Sequence, residues 1–170
     1  MQKNIRTPLF LTILLGATAC TNLDCPLDNV VVMTCGLYHT GTSDTLMLSD
    51  TLTVSTGGMK DTVLLNRATG ISDFELQLRQ ASECDTLQFR FANTSGQSAT
   101  DTIFLTHINT PHFESVDCPA SMFHTLQSVS WTSHSLDDMP LTIDSVAIVR
   151  NTVNYEDIEN LRIYLRSTGN

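Results

Sequence analysis

Apolar and polar positions alternate in short runs along most of this chain, and polar turns separate the runs. Phe74, Leu76 and Leu78 alternate with Glu75 and Gln77, and Leu87, Phe89 and Phe91 with Gln88 and Arg90. A period of two is the signature of a strand with one buried face. Val30 to Tyr38 is nearly all apolar and predicts a central strand. Further strands are predicted at Thr45 to Leu48, Thr51 to Ser55, Thr62 to Leu65, Thr102 to Ile108, Phe123 to Trp131, Ser145 to Val149 and Leu161 to Leu165. The last should bury Leu161, Ile163 and Leu165 and expose Arg162, Tyr164 and Arg166. The rhythm breaks between Asn109 and Met122, which predicts an irregular loop. Tyr155 to Leu161 offers at most one helical turn. Roughly eight to ten short strands with frequent turn signals predict an all-β fold, an antiparallel β-sandwich, immunoglobulin-like or similar.

The first twenty residues follow another pattern. Lys3 and Arg6 precede an apolar stretch, Pro8 to Gly16, and then Ala17-Thr18-Ala19-Cys20. The stretch falls short of the roughly 20 apolar residues of a membrane span and matches a signal peptide. Small residues before a Cys predict a lipoprotein signal over 1–19, with acylation of Cys20. Ala17 stands where such signals usually carry a branched residue. The alternative is an ordinary secretory signal cut after Ala19. Residues 20–24 read as a short tether and 25–170 as one domain. Thr21, after the acylated Cys, points to the outer membrane, facing the periplasm or the outside.

Without Lys3 and Arg6, seven basic residues face 18 acidic ones. So acidic a surface argues against nucleic acid as a partner. Four cysteines remain beyond Cys20: Cys25, Cys35, Cys84 and Cys118. An oxidising compartment predicts disulfides among them. Cys25 and Cys118 share an Asp-Cys-Pro context, which favours a Cys25–Cys118 bridge. Cys35–Cys84 would then be the second, unless both are buried thiols.

Chemistry is sparse. His107, His112, Glu114, Asp117 and His124 form the densest polar cluster, but their spacing matches no metal motif, and no metal or cofactor is expected. Their region reads as a structured loop over one end of the sandwich, with His side chains bonded to backbone. Ser115 and Ser121 lack a nucleophile-elbow context, and no enzyme activity is expected. Trp131 reads as core or rim packing rather than a sugar platform. An Asp–Ser/Thr–aliphatic tripeptide recurs at Asp44, Asp50, Asp61, Asp85, Asp101 and Asp144, each opening a strand pattern. Asp accepts local backbone hydrogen bonds at turns, and a β-branched residue then opens the strand.

Asp24-Cys25-Pro26-Leu27, Pro111-His112-Phe113-Glu114-Ser115, Asp117-Cys118-Pro119 and Phe123-His124 together resemble a domain-of-unknown-function family of small lipoproteins of Bacteroidota. The closing run from Asp144 to Tyr164 is similar too. The resemblance implies a lipid-anchored, all-β envelope protein and no assigned activity. The six tripeptides also resemble the acceptor pattern of O-linked protein glycosylation in that phylum. That makes Thr45, Thr51, Thr62, Thr86, Thr102 and Ser145 candidate acceptors, unless they are strand openers only. The expectation is a membrane-tethered, non-catalytic structural or interaction protein with an envelope protein as partner. The alternative is a module that binds a glycan or a divalent ion.

Overall fold

The structure, a computed structural model, describes residues 30–57, 62–116 and 118–168. The leader, Cys20, the tether, Cys25, Gly58 and Asp117 lie outside the described residues. Ten strands follow in order: β1 (Met33–His39), β2 (Thr51–Thr56), β3 (Val63–Ala68), β4 (Asp73–Leu76), β5 (Cys84–Ala92), β6 (Ser98–His112), β7 (Ser121–Thr132), β8 (Leu141–Ile148), β9 (Thr152–Val153) and β10 (Glu159–Ser167). Among the described residues there is no helix, and Asn154 to Glu156 form a bend ahead of β10.

Two sheets form. Sheet A has the order β4-β1-β10-β8 and sheet B the order β3-β2-β5-β6-β7-β9. All pairings are antiparallel except β1 with β10, which run parallel with Thr34 opposite Glu159 and Leu37 opposite Ile163. The inner faces bring Met33, Cys35, Leu37, Ile143, Leu161 and Ile163 of sheet A against Leu52, Val54, Leu87, Phe89, Phe91, Ile103 and Leu105 of sheet B. Phe74 and Phe89 meet across the two sheets with ring centroids 6.2 Å apart. The alternation read from the sequence thus faces one shared core, and its burial drives the fold.

Three strand expectations need correction. Thr45 to Leu48 makes only an isolated bridge, Tyr38 to Thr45, because Leu46 and Leu48 turn into the core from a loop. β6 runs on through His112 and β7 begins at Ser121, so the irregular stretch shrinks to residues 113–120. Residues 109–112 continue β6 with polar or largely exposed side chains, which is why no apolar rhythm marks them in the sequence. The register of β6 with β7 shifts between Thr106 and His107, where β7 carries Gln127 as an extra residue, a bulge on the β7 side.

Candidate functional site

Two buried carboxylates dominate the polar chemistry, and both open an Asp–Thr–aliphatic tripeptide. Strand alternation turns Asp85 and Asp101 inward, while Thr86 and Thr102 stay half-buried. Each carboxylate meets a histidine and pins a connection that crosses between sheets.

Asp101, on β6, holds the crossing from β7 to β8. Its Oδ1 accepts from the His134 backbone N–H at 2.6 Å and from His134 Nδ1 at 2.8 Å. Its Oδ2 accepts from Thr142 Oγ1 at 3.0 Å and from the Ile143 N–H at 2.8 Å. His134 Nε2 reaches the Met139 carbonyl at 3.1 Å. Both ring nitrogens therefore face acceptors. One carboxylate of sheet B thereby grips the first residues of a strand in sheet A.

Asp85, at the start of β5, holds the crossing from β4. It accepts from Arg79 Nε at 2.7 Å, from the Arg79 N–H at 3.2 Å and from His107 Nε2 at 2.9 Å. Asn109 completes the knot. Its Nδ2 faces the carbonyls of Arg79, Gln80 and Ser82 at 3.3, 3.0 and 2.9 Å, which fixes the amide orientation. Its Oδ1 then accepts from His107 Nδ1 at 2.8 Å and from His124 Nδ1 at 2.6 Å. The two rings meet edge to face, 5.0 Å apart. Both His107 nitrogens thus face acceptors. Burial and the neighbouring His107 lower the His124 pKa to about 4, against a smaller opposing pull from Asp85. So His107 and His124 sit in strands and bond to side chains, not to backbone from a loop as expected.

His107, His124, Asp85 and Asp101 are almost fully enclosed. Among the described residues no group of three His, Cys, Asp or Glu side chains is placed to hold a metal ion. His112 stands apart. It stacks on Phe123 at 4.3 Å, with Tyr155 edge-on to both rings. Trp131 packs at the rim, donating from Nε1 to the Asp144 carbonyl at 3.0 Å.

A surface cleft of about 270 Å³ opens on sheet A, lined by Tyr38, Thr45, Ser72, Asp73, Asp157 and Glu159 among others. Glu159 Oε2 pairs with Arg162 Nε at 3.0 Å, while Oε1 is buried with no hydrogen-bond partner among the described residues. A Cβ on Gly36 would collide with that oxygen and come within 2.8 Å of Tyr38 Cε2, so glycine is what lets Glu159 lie across β1. Sequence reading missed this cleft, because its residues come from strands and loops far apart in the chain.

The cysteines divide. Cys35 is a buried free thiol and Cys84 an exposed one, so the expected Cys35–Cys84 bridge is absent. The reason is topological. Cys35 points into the core from β1 of sheet A, and Cys84 faces outward at the edge of β5 in sheet B. Burial pushes the Cys35 thiol up, which keeps it inert. Cys118 is disulfide-bonded, and its partner lies outside the described residues. Of the candidate acceptors, Thr45 and Thr62 are exposed, and Thr51, Thr86, Thr102 and Ser145 are half-buried. The Thr51 hydroxyl already donates to the Ala92 carbonyl at 2.9 Å.

A family of unknown function, DUF6452, matches residues 51–165. The chain belongs to DUF6452. The DUF6452 span contains every residue of both Asp–His clamps and stops short of Cys20, Cys25 and Gly36. No curated protein and no solved structure matches the chain.

Proposed function

We propose that this DUF6452 chain is a lipid-anchored protein of the bacterial outer membrane, of the kind found in Bacteroidota, with a non-catalytic structural or interaction role toward another envelope protein. The bonded state of Cys118 carries this reading. With Cys35 and Cys84 free, only Cys20 and Cys25 remain as partners, and a stable disulfide belongs to an oxidising compartment. Cys25 is the partner of Cys118, and Cys20 is the acylated residue. The acidic charge balance supports a protein partner and no nucleic acid. Intact-mass measurement of the mature protein should find an acylated Cys20 at its N-terminus. Cys20→Ala should release the protein from membranes or leave its leader uncut. An unmodified N-terminus in a membrane-free fraction would overturn the reading.

The alternative, a ligand-binding module, is favoured by the unpartnered Glu159 oxygen in the sheet A cleft. A glycan hydroxyl is the donor such an oxygen lacks. Titration with oligosaccharides against wild type and Glu159→Gln tests it. Saturable binding weakened by the substitution supports a glycan site; none at millimolar sugar rejects it. Exposed Thr45 and Thr62 remain the best candidates for O-glycosylation, testable by mass increments in protein from its native host.

A further inference from the structure

One end of the sandwich gathers exposed apolar side chains where the chain comes in from its N-terminal segment. β1 and β10 run parallel with Thr34 opposite Glu159, so both strands start at this end. Tyr155, just before β10, packs edge-on against His112 and Phe123, which places the loop between β6 and β7 beside them. Phe113 and Val116 stand on that loop, 66% and 98% exposed. Val30, before β1, and Ile158, before β10, add 51% and 43% exposure at the same end. Isolated exposed apolar residues are ordinary. Four converging on one end, two on a single short loop, form a patch of the kind that marks an interaction surface.

We infer that this end docks on the bilayer, with Phe113 and Val116 seated at the lipid interface. The inference rests on the reading above, namely acylation of Cys20 and a Cys25–Cys118 bridge. Cys25 lies five positions after Cys20, a span of about 17 Å even when fully extended. The bridge then fixes the loop of Val116 to the tether, so the acyl chains hold this end toward the membrane. One or two acyl chains gain from a second contact, since a single chain binds only marginally. Glu156 and Asp157 are exposed nearby, and Arg150 is taken up by its ion pair with Glu156, so the matching surface is zwitterionic rather than anionic lipid.

The test uses the full mature lipoprotein in phosphatidylcholine vesicles whose acyl chains carry bromine, a contact quencher of indole fluorescence. Native Trp131, bonded to Asp144 away from this end, serves as the internal reference. Phe113→Trp and Val116→Trp are read against Met47→Trp, a comparably exposed position (65%) on the loop that follows the far end of β1. Flotation with the vesicles reports the anchor independently. The inference expects a blue shift and bromine quenching at positions 113 and 116, with neither at 47. Protein that floats with no quenching at 113 or 116, or with equal quenching at 47, overturns the inference and leaves the anchor standing. Protein that does not float overturns the anchor reading, and this inference with it.

Discussion

The Asp101 and Asp85 clamps do the same job by different means. Each carboxylate sits at the rim of the core in sheet B, takes a histidine, and holds a connection that crosses between sheets. Asp101 receives four hydrogen bonds, two of them from backbone N–H groups, and its reach into β8 joins the sheets directly. Asp85 receives three, two of them from Arg79, whose side chain is 45% exposed. The lesson is that a buried carboxylate saturated by enclosed donors is part of the tertiary structure. One that leans on an exposed cation is a local fastener, because solvent can replace the cation.

Truncation should separate them. Asp101→Ala leaves His134, Thr142 and the Ile143 N–H without their acceptor. It should cost about 3–5 kcal/mol, the range for breaking a buried pair, read as a lower denaturation midpoint at an unchanged m-value. Asp85→Ala strips His107 Nε2 of its carboxylate partner, but the Arg79 loop can relax into water. A loss of about 2–3 kcal/mol is expected. Equal losses would erase the distinction between the two clamps.

Acid should strain the Asp85 side further through His124. Its unfolded pKa of 6.5 falls to about 4 in the folded protein. The unfolded chain therefore binds the extra proton first, and stability rises with pH between these values. The contribution is present above about pH 6.5 and is lost as pH falls toward 4, on the order of 2 kcal/mol in all. His124→Asn keeps a donor where Nδ1 stood and removes the titration, so it should flatten the dependence in this window. A slope unchanged by that substitution would assign the acid sensitivity elsewhere.

Arg79→Met should be the mildest change. It keeps the alkyl stem and loses a partly exposed ion pair, so a cost of about 1 kcal/mol or less is expected. A larger loss would raise Asp85 to the same standing as Asp101.

The strands were legible because period-two alternation is a property of neighbouring residues. Leu87, Phe89 and Phe91 announce β5 with no knowledge of what they pack against. The clamps were not legible, although His107 and His124 stood out as a cluster. Their partners, Asp85 and Asn109, are set by the register of β5, β6 and β7, which the sequence does not display. Asp85 and Asp101 were visible only as strand openers with local bonds. Their actual partners lie up to 42 positions away, as with the Ile143 N–H. The pairing of Cys35 with Cys84 failed for the same reason, since counting thiols does not assign them to sheets.

Native-state hydrogen exchange of Asp101→Asn beside Asp85→Asn tests the two-clamp account most directly. The account predicts that Asp85→Asn lowers protection around residues 79–84 and the facing ends of β6 and β7, leaving sheet A near wild type. Asp101→Asn should lower protection in both sheets together, because its donors span them. Loss confined to the β7–β8 connection in Asp101→Asn, or a global loss of the same size in both variants, would contradict it.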